Sequence, residues 1–76
     1  MQAIVYSKPE CVQCDQTKRL MDREGIVFQE RPITPDLAEE FKRQGLLSAP
    51  VVKTPDGQVW AGFRPDRVKA LTAVAA

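Results

Sequence analysis

The sequence predicts an α/β fold: a four-stranded mixed sheet flanked by three helices, in the order β-α-β-α-β-β-α, within one domain spanning residues 1–76. Three observations carry this expectation. Short β-branched or aromatic runs alternate with longer runs of helix formers. Glycine or proline stands at most of the changes between them. A chain of 76 residues can bury one small core and has no room for a second.

Ala3 to Ser7 reads as the first strand, apolar on both faces as a central strand is. Lys8-Pro9-Glu10 is a turn. Cys11 to about Glu24 reads as the first helix, with Gly25 at its C-terminal cap. Ile26 to Glu30 is the second strand, expected to end before Pro32. Thr34-Pro35-Asp36 starts the second helix with a hydroxyl cap, a proline at the first position and an acid near the positive end of the dipole. Leu37 and Phe41 lie one turn apart on it, and the helix ends at Gly45. Pro50 to Lys53 and Gln58 to Ala61 are strands joined by Thr54-Pro55-Asp56-Gly57, making a hairpin. Pro65-Asp66 opens the last helix, with Val68, Leu71 and Thr72 on one face and Arg67 and Lys69 facing water. A helix joins the first two strands, which must therefore be parallel; the last two are antiparallel.

Composition narrows the function. A hydrophobic content of 43% and a charged content of 28% are those of an ordinary soluble domain, and a net charge of +1 offers no electrostatic footprint for nucleic acid. The N-terminus has no basic flank and only a short apolar run, so neither a signal peptide nor a membrane span is expected. The expected location is the cytoplasm. Thiols there are kept reduced, and paired cysteines are more often catalytic or metal-binding than structural.

The two cysteines, Cys11 and Cys14, are spaced Cys-x-x-Cys at a strand-to-helix boundary. At that spacing they can open and close a disulfide. The thiolate is the attacking species, and unpaired backbone N–H groups at a helix start favour it; Lys8, three residues upstream, adds positive charge. Cys11 is the expected nucleophile and Cys14, one turn further along, the resolver. Val12 and Gln13 between them bring no acid or base and shape the surface. Zinc needs about four ligands, and the chain has no histidine and no third cysteine. A purely structural disulfide closing so short a loop would stabilise little.

The element order with Cys-x-x-Cys after the first strand resembles the thioredoxin fold in its minimal, glutaredoxin-sized form. That resemblance implies a cis Ala49-Pro50 bond, with the Ala49 backbone facing a partner peptide and Pro50 keeping metal from the thiols. Cys11-Val12-Gln13-Cys14, Lys18 with Arg19, Ala49-Pro50-Val51-Val52 and Trp60-Ala61-Gly62-Phe63-Arg64-Pro65-Asp66 together resemble the NrdH-redoxins along the full length. The resemblance implies an electron donor for class Ib ribonucleotide reductase, attacking a disulfide near that enzyme's C-terminal tail and reduced in turn by thioredoxin reductase with NADPH. It implies no bound cofactor; a monomer is expected. Trp60, Gly62, Phe63 and Arg64 would shape the partner-facing surface, and Tyr6 would lie near the thiols.

Two positions depart from the family pattern. Ala61 stands where serine is usual, and Arg31-Pro32-Ile33 follows the second strand where an acid is common. Two rival functions are a glutathione-dependent glutaredoxin and a non-catalytic binding or sensor module on the same scaffold. Glutaredoxins usually carry Gly-Gly and acids before the last helix, where this chain has Gly62-Phe63-Arg64-Pro65.

Overall fold

The computed structural model describes residues 2–75, with side chains through Leu71. Its elements are β1 (Ala3–Ser7), α1 (Val12–Arg23), β2 (Phe28–Pro32), α2 (Pro35–Arg43), β3 (Val51–Lys53), β4 (Val59–Ala61) and α3 (Pro65–Ala75). The sheet order is β2-β1-β3-β4. β1 pairs in parallel with β2 and antiparallel with β3, and β3 pairs antiparallel with β4. This is the mixed four-stranded sheet that the sequence predicts, and its arrangement is that of a thioredoxin-like fold.

Where the elements differ from expectation, a hydrogen bond explains the change. Ile26 does not begin β2, because its N–H donates to the Met21 carbonyl at 2.9 Å while the Gly25 N–H reaches Asp22. Those two bonds close α1 as a Schellman turn, and they require the positive φ of 72° that Gly25 adopts without a Cβ clash. Val27 is left exposed on the way to the sheet. β2 then runs through Pro32 instead of stopping before it. Pro32 is paired with Ser7 at the edge of the sheet, and the Ser7 carbonyl takes its bond from the next N–H, that of Ile33, at 3.0 Å. The proline nitrogen points outward, where no ladder bond is missed.

β4 starts at Val59 and not at Gln58 for a similar reason. The Gln58 N–H donates to Thr54 Oγ1 at 2.9 Å, and the Thr54 hydroxyl donates to the Asp56 carboxylate, so Gln58 belongs to the turn. β3 begins at Val51, one residue after Pro50. α2 is capped as expected, with Thr34 Oγ1 accepting the Leu37 N–H and Pro35 at its first position.

The sheet divides the core in two. Val5, Val52 and Trp60 point to one face and pack with Met21 of α1 and Val68 and Leu71 of α3. Tyr6 and Val51 point to the other face and pack with Phe41 of α2, flanked by Ile4, Leu37 and Ala61. Alternation along the strands produces this division, since neighbouring residues face opposite ways. The expectation for Val68 and Leu71 holds; Thr72 lies outside the described side chains. The loops after β1, before β3 and after β4 meet at one end of this sandwich, around the start of α1.

Candidate active site

Cys11 and Cys14 are joined as a disulfide with their Cα atoms 5.2 Å apart. Glu10, at a φ of 55°, turns the chain sharply so that Cys11 becomes the N-cap of α1, with extended backbone angles of −114° and 106°. The sequence placed Cys11 inside the first turn; it stands one position earlier, and the shift matters chemically. Its sulfur, not only its backbone, faces the unpaired N–H groups, and it accepts the Cys14 N–H at 3.1 Å. A thiolate at this position receives a charge-assisted hydrogen bond together with the positive end of the helix dipole. The two sulfurs differ in access. Cys11 is half-buried, whereas Cys14 is 1% exposed and lies beneath the helix. The pair can therefore be reached from outside at Cys11 alone.

On the β2 side of the disulfide lies a cleft lined by Ser7, Lys8, Cys11, Lys18, Glu30 and Arg31 among others. Lys18 Nζ contacts Glu30 Oε2 at 2.7 Å and Asp15 at 3.6 Å, and the Ser7 hydroxyl donates to the same Glu30 oxygen at 2.8 Å. The hydrogen bond from Lys18, then that from Ser7, holds the Glu30 carboxyl below its ordinary range. The Lys18 ammonium is raised above its own, first by its bond to Glu30. A carboxyl depressed by folding adds stability above the unfolded-state range and loses it as pH falls through the folded value. Because Glu30 is close to half exposed, solvent screening keeps the contribution under about 1 kcal/mol. The parent should exceed Glu30→Gln in stability near neutral pH, and the gap should close as pH falls through the depressed Glu30 value. Urea unfolding of both proteins across that interval checks it.

The opposite side is built by β3, the loop after β4 and α1. The Ala49–Pro50 bond is cis. The Pro50 carbonyl accepts the Gly62 N–H at 2.8 Å, and Gln13 Oε1 accepts the Phe63 N–H at 2.9 Å. Gly62 leaves little room there, since a Cβ on it would lie 3.2 Å from Gln13 Oε1. Phe63 is half-buried and Arg64 exposed, and the Arg64 carbonyl accepts the N–H groups of Arg67 and Val68 to open α3. Val12 and Leu47 are exposed apolar side chains at this end, at 71% and 78%.

Among the residues singled out in the sequence, Lys8 thus shares a cleft with Cys11, while Gln13, Pro50, Gly62 and Phe63 form one connected node. Tyr6 and Trp60 are placed differently. The Tyr6 ring packs edge-on to Phe41 at 5.3 Å in the α2-side core, beneath Lys53. Trp60 is 3% exposed, with the Arg67 guanidinium 5.6 Å above its ring and no partner for Nε1 among the described residues. Both are buried core residues, one on each face of the sheet, and not part of the exposed surface. Sequence reasoning missed Ser7 and Glu30. Their signal was topological: parallel β1 and β2 run side by side, which brings Ser7, at the end of β1, and Glu30, two residues before the end of β2, into one cleft with the cysteine turn. Arg31 bonds Gln29 at 2.9 Å along the same edge.

Comparison with known proteins agrees with this geometry. The glutaredoxin family model matches residues 3–60. The chain is 38% identical over 73 residues to the glutaredoxin-like protein NrdH of Salmonella typhimurium and to that of Escherichia coli K12, covering 93% of this chain and 89% of each relative. It is 36% identical to the NrdH protein of Lactococcus lactis over 69 residues, 88% of this chain and 94% of that one. The solved NrdH-redoxin of Escherichia coli, described as glutaredoxin-like with a thioredoxin-like activity profile, superposes with a TM-score of 0.84 at 38% identity. That match covers 93% of this chain and 95% of the other. A glutaredoxin from Archaeoglobus fulgidus, 23% identical, shares the fold with a TM-score of 0.70 over 92% and 84% of the two chains. With its Cys11–Cys14 pair at the helix mouth, the chain belongs to the glutaredoxin family and, within it, to the glutaredoxin-like NrdH redoxins, which are thiol–disulfide redox proteins.

Proposed function

We propose that this protein is the dithiol electron donor of a class Ib ribonucleotide reductase and is itself reduced by thioredoxin reductase at the expense of NADPH. The observation that carries the chemical part is the unequal burial of the two sulfurs, with the outer one at the helix N-cap. In the reduced protein the Cys11 thiolate attacks a disulfide at the C-terminal tail of the reductase's catalytic subunit, forming a mixed disulfide and releasing one thiolate. Cys14 then gives up its proton and attacks the Cys11 sulfur. The second target thiol leaves, and the Cys11–Cys14 disulfide remains. Two electrons and two protons have moved, and the flavoenzyme returns them. No bound cofactor is required.

Around the pair, Lys8 adds positive charge, Val12 and Gln13 shape the turn, and Ala49 offers its backbone to an extended cysteine-containing segment as a short strand would. Gly62, Phe63 and Arg64 form the far rim of that surface, with Tyr6 and Trp60 buried in the core. The protein acts as a cytoplasmic monomer. Glutathione is disfavoured as reductant because Gly62-Phe63-Arg64-Pro65 replaces the Gly-Gly and acidic residues with which glutaredoxins hold it.

Reconstitution tests the reading. With a thioredoxin reductase and a class Ib reductase, NADPH should be consumed in step with deoxyribonucleotide formation. Glutathione with glutathione reductase should support it poorly. Faster turnover with glutathione would reverse the assignment to the alternative of a glutathione-dependent glutaredoxin. No turnover with either system, and no acceleration of insulin reduction, would leave the binding module.

A further inference from the structure

The Gln13 side chain bridges two parts of the chain that lie 50 positions apart. Its Oε1 accepts the Phe63 N–H at 2.9 Å, across the gap between α1 and the loop that follows β4. The same oxygen packs against the face of Gly62 where a Cβ would come within 3.2 Å, while the Gly62 N–H is held by the Pro50 carbonyl at 2.8 Å. At its other end Gln13 is fixed by its position between the cysteines, and its own carbonyl accepts the buried Thr17 hydroxyl at 2.9 Å. The disulfide turn and the residue before β3 therefore both hold the Gly62–Phe63 segment, the first through the Gln13 amide oxygen and the second through the Pro50 carbonyl. Among the described residues no other side chain hydrogen bond crosses from α1 to this loop.

From this we infer that Gln13 is a positioning residue for protein substrates: its amide holds the Phe63–Arg64 rim at a fixed height beside the Cys11 sulfur. Without it the Phe63 N–H loses its acceptor, and the rim is tied at Gly62 alone. An extended peptide passing between Ala49 and the rim needs both walls in register before sulfur meets sulfur. A small thiol approaching Cys11 needs neither wall. The role separates peptide from small-molecule chemistry, which a role in thiol acidity would not do. It rests on the assignment of Ala49 and the Phe63 rim as the partner-facing surface, but not on which enzyme the partner is.

The test uses the oxidised protein, opened either by an extended peptide of about ten residues carrying one cysteine or by mercaptoethanol, with acid quenching and mass spectrometry. For Gln13→Ala, the peptide rate constant divided by the mercaptoethanol rate constant should fall roughly fivefold, the scale of one hydrogen bond. Exchange of the Phe63 amide hydrogen should quicken in the same variant. Gln13→Glu keeps an acceptor at the same reach and should restore both the ratio and the protection. An unchanged ratio in Gln13→Ala would overturn the inference, and so would a Gln13→Glu variant as defective as the alanine. Equal loss with peptide and mercaptoethanol would also overturn it, by showing that Gln13 merely supports the turn. None of these outcomes depends on thioredoxin reductase or ribonucleotide reductase, so they stand apart from a failed reconstitution.

Discussion

Cys14→Ser should accumulate as a covalent adduct with its disulfide target, joined through Cys11, while turnover with dithiothreitol and insulin stops. The geometry separates the two half-reactions. Cys11 is half-buried at the end of the helix with its sulfur accepting the Cys14 N–H, so it remains open to attack and remains favoured as a thiolate. Serine at position 14 keeps that backbone N–H and the helix; it removes only the second sulfur. The first exchange proceeds, and the adduct has nothing to resolve it. Cys11→Ser removes the reachable sulfur and leaves Cys14 beneath the helix at 1% exposure. Its activity should fall by more than about a thousandfold, as it does when a nucleophile is lost elsewhere, and no adduct should form. Peptide mapping of the trapped species decides the assignment, since an adduct on Cys14 of the Cys11→Ser protein would invert it. Alkylation at varied pH adds a second reading: the Cys11 thiol of the Cys14→Ser protein should ionise at lower pH than a free cysteine, in keeping with its cap position.

Most of this site was legible before any coordinates, because local rules govern it. A strand, a turn and a helix start position the cysteine pair, and each carries its own residues: the continuous apolar run of Ala3 to Tyr6, the Pro9 turn, and the helix closed at Gly25. Thr34 and Gly45 bracket α2 in the same way. The thiol pairing and the sheet's mixed strand directions also accord with those readings, and the cis bond before Pro50 accords with what the family resemblance implied. What was not legible depends on which nitrogen or oxygen a residue has already used. Ile26 has the β-branched side chain of a strand, yet its N–H belongs to the helix closure at Met21. Pro32 looked like a stop, but the sheet edge made its missing N–H harmless. The links between distant segments were equally invisible. Nothing in the composition of residue 13 points to residue 63, and nothing near Ser7 points to Glu30 until parallel pairing sets Ser7 opposite Pro32. The resemblance set Trp60 on the partner-facing surface and Tyr6 near the thiols, and the alternation of the strands turned both side chains into the core.

Phe41→Ala should lower stability by about 3–5 kcal/mol, the range for truncating a buried aromatic ring. A domain of this length has roughly 4–11 kcal/mol in total, so the variant stands near the edge of folding. The effect is concentrated because the α2-side core is small. Phe41 is 2% exposed, meets Tyr6 edge-on at 5.3 Å, and packs with Val51 while Leu37, Leu46 and Ile33 close around it. Lys53 also stands 5.7 Å above both rings, a cation–π contact that needs the pair intact. On the other face Met21, Val52, Trp60, Val68 and Leu71 retain their own packing, so the protein should stay partly ordered instead of collapsing evenly. Val51 is the first residue of β3 and follows Pro50 directly, which ties this core to the wall of the active site. Loosening Phe41 should therefore expose the Ala49–Val51 segment to hydrogen exchange sooner than the start of α1, whose support comes from Met21 and α3. The melting temperature should drop by at least about 12 °C, whereas Val27→Ala, which trims an exposed side chain, should change stability by no more than about 0.5 kcal/mol. A loss below about 1 kcal/mol for Phe41→Ala would mean that α2 does not help to hold the sheet. If exchange instead rose first around Cys14, the support of the disulfide turn would have to be reassigned from α1 and α3 to this side of the molecule.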